Sequence, residues 1–439
     1  MSASSFHVVI IGGGIGGLCL AQGLKQSGVS VAVYERDHTR TDRLQGYRVH
    51  INPSGSRALH DCLPADLYDT FVATTGKSGG GFNFFNEQLR ELLSLSPGSP
   101  DAVLDPVESH KSVSRITLRQ VLLAGLDDIV HFDKTFVRYE ESPDGTVVAH
   151  FEDGTAAAGD VLVAADGASS RVRKQFLPQA ERIETGVFTV IGKAPLTDEV
   201  RTLLPPQLFD GPASVMAPES KGLFIAVQEF RRAPHDAGEI GGNDSAADLH
   251  PGLLFDNTAD YVMWALGARR EKFPIVGDPE VMDGSALQQV VLGMMQNWHP
   301  RLRRLVKLSD PSTMTPNPIR TSLPIPHWET KRVTLLGDAI HSMTPYRGIG
   351  ANTALRDAAL LCRNLAAAHR GEKPLLAAIH DYETEMIEYG FAAVRSSKKA
   401  MEQAVSDNRF ALAMAKVVFR TMNAMPPVKR LAFRNMGNG

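Results

Sequence analysis

Cysteine is scarce, three in 439 residues. Cys19, Cys62 and Cys362 show no metal-ligand spacing, and two of them fall inside apolar helical patterns, so small buried residues are a better reading than a disulfide, and a reducing compartment fits. Charge of one sign is also missing: 46 Lys and Arg against 49 Asp and Glu leave a net charge of −3, so no nucleic-acid partner is expected. No apolar run approaches the roughly 20 residues that cross a bilayer as a helix, and no basic stretch precedes the first apolar segment, so a cytoplasmic protein is expected. The 43% of hydrophobic residues can fill a large core. The length exceeds one compact α/β unit, which predicts two domains.

What is present is densest at the start. Phe6-His7-Val8-Val9-Ile10-Ile11 reads as a buried strand, Gly12-Gly13-Gly14-Ile15-Gly16-Gly17 follows, and the residues after Gly17 place apolar side chains at helical spacing. Glycines at a strand-to-helix turn carry a mechanism. Gly12 allows the tight turn, Gly14 lets the backbone approach a pyrophosphate, Gly17 lets the helix pack on the strand, and the helix N-terminus offers N–H groups to the phosphates. A second strand over 29–34 ends in Glu35, about twenty residues on, where a carboxylate can accept ribose hydroxyls. This βαβ unit predicts an adenine dinucleotide; the blander reading is a glycine-rich turn of an ordinary α/β protein.

Two later stretches have the same shape. Residues 160–165 form an apolar strand ending in Asp166-Gly167, with a helix opening at Ser169-Ser170, and residues 332–336 end in Gly337-Asp338 and lead through Pro345-Tyr346-Arg347-Gly348-Ile349-Gly350-Ala351-Asn352 into a helix over 353–368. Three such strand ends point to one extended ligand. Between them, alternation over 46–56 suggests a strand, a turn and a helix from about 56 to 62, with Arg48 and His50 on one face. Residues 76–112, rich in Gly, Ser and Pro around Phe82, Phe84 and Phe85, read as an extended excursion before a helix near Ser114, on which Arg115 and Arg119 share a face. Turns at Pro143-Asp144-Gly145 and Asp153-Gly154 mark hairpins over 129–160.

Residues 184–268 hold short strands without a long helix, which predicts a mostly antiparallel sheet, with a polar surface loop over 236–251. A helix over 285–298 and a proline-rich crossing over 311–326 follow. The end is helical, over 374–403 and 408–422. From Arg409 to Arg434 six basic residues and no acidic one interleave with apolar residues. Such a tail can lie on an anionic membrane surface, although capping the domain with its apolar face is commoner.

Together, Gly12-x-Gly14-x-x-Gly17 with Glu35, Asp166-Gly167-x-x-Ser170-x-Val172-Arg173, and Gly337-Asp338-Ala339-x-His341 with Pro345-x-x-Gly348-x-Gly350-x-Asn352 resemble the single-component FAD-dependent monooxygenases of the aromatic-hydroxylase, p-hydroxybenzoate hydroxylase-like type. The resemblance covers most of the chain. It implies an α/β fold with a Rossmann-like FAD-binding domain of the GR2 type over 1–75, 110–180 and 325–370. A mostly antiparallel β-sheet substrate domain, 76–109 and 181–324, is inserted, and C-terminal helices occupy 371–439.

It also implies FAD contacts from Gly12, Gly14, Ile15, Gly16, Gly17, Glu35 and Arg36, with Glu35 on the adenosine ribose. Asp166 would touch FAD and take part in NAD(P)H binding, and Asp338 would hold the ribityl or pyrophosphate part. Gly348, Gly350, Ala351 and Asn352 would lie against the isoalloxazine, Arg115 near the FAD, and Arg48 on the mobile-flavin side. Arg347 is a departure, a positive charge in a loop that is less charged in many relatives, and no thioredoxin-like extra domain is expected. With one complete GxGxxG, NADPH or NADH has no Rossmann unit of its own and binds in a groove.

The reaction implied is reduction of FAD by NAD(P)H, addition of O2 at flavin C4a, and transfer of one oxygen from the hydroperoxide to a mostly apolar, aromatic or polyketide-like small molecule by hydroxylation or epoxidation. A phenol would profit from a base, for which His50 and Tyr346 are the nearest polar candidates, with Arg48 beside His50; ordinary structural roles compete for each. His341 reads better as scaffold than as catalyst. Two alternatives stay open: a flavin oxidoreductase or dehydrogenase without oxygen insertion, and a non-catalytic flavin-binding protein. Oligomeric state is not legible.

Overall fold

The computed structural model describes residues 6–40, 47–77, 81–95, 105–230, 260–275 and 277–425. Gly46, the polar loop 236–251 and the basic residues Lys429, Arg430 and Arg434 lie outside them. Among the described residues, the strands form four sheets.

The first sheet is parallel, in the order Val333–Leu335, Val161–Ala164, His7–Ile11, Ser30–Tyr34, Val130–His131. Val8, Val9, Ile10 and Ile11 are all buried, as expected of a strand covered on both faces, which is why the segment reads as a continuous apolar run. Register matters more than composition here. Ile11 pairs with both Ala164 and Tyr34, and Ala164 pairs with Leu335, so four strands end at one level and deliver Gly12, Glu35, Asp166 and Gly337-Asp338 to one edge. The helices Ile15–Gln26 and Gly350–His369 pack together beside it, and a Cβ on Gly23 would stand 2.7 Å from Cys362 Sγ and 3.1 Å from Cys62 Sγ. All three cysteines are buried and free. Hydrogen bonding among the thiols and burial push Cys62 and Cys362 up, so neither is reactive.

An antiparallel meander, Phe136–Glu141, Val147–Phe151 and Ala156–Gly159, turns at Gly145 and Gly154, both at positive φ. A two-stranded ribbon pairs Arg48–Ile51 with Lys111–Ser114. The largest sheet runs Thr315–Ser322, Arg182–Pro195, Tyr261–Arg269, Gly222–Gln228, Ala213–Met216, Phe82–Asn86, Glu91–Leu95, antiparallel except where Ala213–Met216 meets Phe82–Asn86. One face carries Phe188, Val262, Trp264 and Leu266 into a core shared with the helices Gly284–Met294 and Pro300–Lys307. The other face turns toward the ribbon.

Several elements differ from expectation. The excursion 76–112 supplies the two outer strands Phe82–Asn86 and Glu91–Leu95. The proline-rich crossing contains the strand Thr315–Ser322 with Pro316 and Pro318, which is tolerated because it is an edge strand. Pro300 starts a helix, since proline at the first helical position forfeits only an unpaired N–H. The helix expected over 56–62 begins three residues earlier, capped by the Asn52 side chain. Helix Gly350–His369 begins three residues before the expected start, so Gly350, Ala351 and Asn352 form its first turn. Leu375–Ala404 packs along it, and Arg409–Asn423 lies against the outer strands of the large sheet, with Phe419 4.6 Å from Phe84 ring to ring.

Candidate functional site

The glycines of the first turn divide the work. Gly12 has φ +112°, and a Cβ there would stand 2.4 Å from the Ala165 carbonyl oxygen; one on Gly17 would stand 2.2 Å from the Gly12 oxygen. A Cβ on Gly16 would meet Leu336 at 2.5 Å. These three serve close packing. Gly14 is different: nothing lies within 4 Å of its Cβ position, and it precedes the first turn of Ile15–Gln26, where backbone donors are unpaired. That open, donor-rich spot suits a phosphate. Ile15 is half-buried beside it.

Glu35 is buried and wired to the turn: Oε2 accepts from Gly13 N at 2.5 Å and Oε1 from Asp37 N at 3.0 Å. Arg119 reaches across to the same place, donating to Gly13 O at 3.1 Å and pairing with Asp37 at 3.1 Å. Arg36, by contrast, is exposed. Arg119 thus braces the turn, a role visible in the sequence only as a basic residue four after Arg115.

Asp166 follows the second strand end. Its Oδ2 accepts from the backbone N of Arg171 at 2.8 Å, while Oδ1, buried, has no partner among the described residues; burial raises its pKa. Arg173, itself buried, donates to Ala168 O at 3.1 Å and to Ala339 O at 2.7 Å, so it ties this stretch to the third. There Asp338 stays open to solvent although protein crowds it enough for burial to raise its pKa, against the pull of His341, Arg182 and Arg115. A side chain both open and crowded lines a cleft. Arg115 is exposed into that same field.

Behind Asp338 is a residue that sequence reasoning missed. Asp357 is fully buried and accepts from Gly337 N at 2.7 Å, His341 Nε2 at 2.7 Å and the Tyr389 hydroxyl at 2.5 Å. An acidic residue on the apolar side of a helical pattern was its only signal. His341 is therefore scaffold. Gly348, at φ +62°, is exposed, and Gly350 and Ala351 are half-buried at the helix start. Asn352 lies in the first turn of Gly350–His369, and its amide is engaged by the protein, accepting from Asn52 N at 2.8 Å and donating to His50 O at 2.8 Å.

The ribbon closes the cleft. Arg48 and His50 share its polar face with Ser112 and Ser114, their cross-strand partners. Arg48 is buried and pushed down to about 10 by that burial, with the Tyr261 phenol opposing the shift. His50 is pushed down to about 3 by burial, Arg48 and His110, whose Nδ1 stands 3.0 Å from its Nε2. That environment favours the neutral imidazole. Tyr346 is pushed up to about 12 by burial, which favours the protonated phenol.

The register of the large sheet puts Gln228, Tyr261 and Lys193 on one face with Phe224, Ala265, Gly267 and Thr189. Arg48 meets this face at Tyr261; Tyr346 meets it at Gly267, where a Cβ would stand 2.6 Å from its hydroxyl. Between the two contacts, Ile191, Phe224 and Ala265 are half-buried and apolar. Gln228 is fully buried, and neither amide atom has a partner among the described residues. Nonlocal pairing hid Gln228 and Tyr261 from the sequence.

A diphosphate at Gly14, a ribose at Glu35 and hydroxyls at Asp166 and Asp338 fit FAD. The family model described as an FAD binding domain matches residues 5–228 and 310–397. The chain belongs to this family, the FAD-dependent monooxygenases of the aromatic-hydroxylase type. Its cofactor is FAD. The crystal structure of a protein described as an FAD-containing monooxygenase, from Photorhabdus luminescens, superposes with a TM-score of 0.79 at 36% identity over 92% of this chain and 100% of that one. The dual O-methyltransferase/FAD-dependent monooxygenase CTB3 of Cercospora beticola is 33% identical over 88% of this chain but 44% of its own length. The FAD-dependent monooxygenase thnD of Trichoderma harzianum is 26% identical over 94% of this chain and 97% of its own. This chain spans less than half the length of the dual-function relatives it matches.

Proposed function

We propose that this chain is an NAD(P)H-using FAD monooxygenase that inserts one oxygen atom, by hydroxylation or epoxidation, into a mostly apolar aromatic or polyketide-like small molecule. The observation that carries the reading is the sheet face between Tyr346 and Arg48: apolar in the middle, polar and buried at the Arg48 end, and set against the loop that leads into Gly350–His369. FAD, when bound and reduced, supplies the electrons and the oxygen-activating ring. The chain supplies position and dryness. Gly14 and the first turn of Ile15–Gln26 hold the diphosphate, Glu35 the ribose, and Asp338 a hydroxyl of the cofactor. The apolar face excludes water, and Arg48 and Tyr261 hold the polar end of the substrate, with Gln228 offering both a donor and an acceptor.

In this reading the cofactor part is 1–75, 110–180 and 325–370, the substrate part 76–109 and 181–324, and the small-molecule substrate, O2 and NAD(P)H are the partners. The test is to screen aromatic and polyketide compounds for accelerated NADPH consumption by the yellow protein under isotope-labelled O2. A labelled product heavier by one oxygen supports the proposal; product without label refutes oxygen insertion.

A further inference from the structure

The helix Arg409–Asn423 has one face on the protein and another that none of the described residues covers. Lys416 pairs with Glu87 in the turn after Phe82–Asn86 at 3.0 Å, Phe419 packs tilted against Phe84, and Asn423 donates to Glu91 at 2.7 Å on the outermost strand. The opposite side shows Phe410, Met414, Val417 and Val418, exposed by 76%, 46%, 53% and 47%, with Met425 just beyond. These five are half of the ten exposed large hydrophobic residues among the described residues, so the stripe is a concentration and not the ordinary scatter. Their spacing aligns them along one side of the helix, and Arg409 and Arg420 emerge along one border of that stripe. The helix holds three basic residues and no acidic one.

We propose that this helix docks in the surface of an anionic lipid layer, apolar stripe inward and Arg409 and Arg420 at headgroup level. Charge decides the occupant. A second copy would set cation against cation with no carboxylate in either helix to offset it, whereas anionic headgroups complement the border. The helix lies on the layer, because no helix among the described residues is long and apolar enough to cross one. The inference stands apart from the proposed reaction.

The test sediments the full-length FAD-loaded protein with vesicles of phosphatidylcholine alone and of phosphatidylcholine with phosphatidylserine. Binding about tenfold tighter or more to the mixed vesicles, released by salt, is expected. The pair Phe410→Glu and Val418→Glu should abolish it with FAD content unchanged, and the pair Arg409→Glu and Arg420→Glu should abolish the preference for phosphatidylserine. Protein left in the supernatant with both vesicles, equal binding to both, or undiminished binding by both double variants overturns the proposal. A concentration-dependent dimer, lost in the Phe410→Glu and Val418→Glu variant without any vesicle binding, assigns the face to a second copy and overturns it too.

Discussion

Asp357 accepts a hydrogen bond from His341 Nε2 at 2.7 Å, both side chains buried. The same carboxylate oxygen holds the backbone N–H of Gly337, which sits at φ +62°. The pair therefore sets the turn that presents Asp338 to the cleft. Removing one member of a buried pair strands the other, at a cost of about 3–5 kcal/mol. Asp357→Ala is expected to lose that much in urea unfolding of the protein and to weaken FAD binding as well, while Asp338→Asn should weaken FAD binding with little loss of stability. Equal stability losses in the two variants would contradict this division.

Two glycines two residues apart should fail in different ways. Gly12→Ala forces a side chain at φ +112° and 2.4 Å from a carbonyl oxygen, a strain that costs about 3 kcal/mol or more. Gly14 has φ −81° and an unobstructed Cβ position, so Gly14→Ala should leave stability within about 1 kcal/mol. Its methyl enters the space that the diphosphate would use, and FAD affinity should fall about tenfold or more, a loss of about 1.4 kcal/mol. Thermal unfolding of the apoprotein and FAD titration separate the two effects.

What the sequence revealed was local. A strand, a glycine turn and a helix lie within twenty residues of Phe6, and each stretch ending at Asp166 or Asp338 repeats that pattern, so the ligand edge was legible without any knowledge of pairing. The opposite wall was not. The partner strand of Arg48–Ile51 lies some sixty residues away, and no alternation pattern names a partner at that distance. Gln228 looked like one more strand residue, and Asp357 gave no signal beyond an acidic residue on the apolar side of a helical pattern. The apolar stripe on Arg409–Asn423 was readable as amphipathic, but which face the protein would cover was a tertiary fact.

Gln228 offers a test of the substrate wall. A buried amide with both atoms unpartnered contributes nothing to the fold by hydrogen bonding, and replacing it with an apolar side chain of similar size is neutral or stabilising by about 1 kcal/mol. Gln228→Leu should therefore melt at the same temperature or higher. Against a substrate that carries a polar group, KM should rise about tenfold while FAD binding is unchanged, consistent with the loss of one hydrogen bond to the ligand at about 1.4 kcal/mol. A variant that melts lower with an unaltered KM would mean that the amide is a structural element.

Two imidazoles, His341 buried and His50 half-buried, shift in opposite directions, and the pH dependence of stability follows from their signs. Burial opposes the charge on His341, but Asp357 beside it prevails and the pKa is raised above 6.5. Its pairing is then fully present below the unfolded value and is lost as pH rises through the folded one, because the native state holds a proton that the unfolded chain has released. His50, pushed down to about 3 by burial, Arg48 and His110, does the reverse: between about 3 and 6.5 the unfolded chain takes up a proton that the native state refuses, so stability falls as pH drops through that window. Stability limited by these two groups peaks near the ordinary imidazole range. Urea midpoints recorded against pH should show a shallower acid limb in His50→Asn and a shallower alkaline limb in His341→Asn. An acid limb unchanged in His50→Asn would mean that carboxylates elsewhere, not this ribbon, govern unfolding in acid.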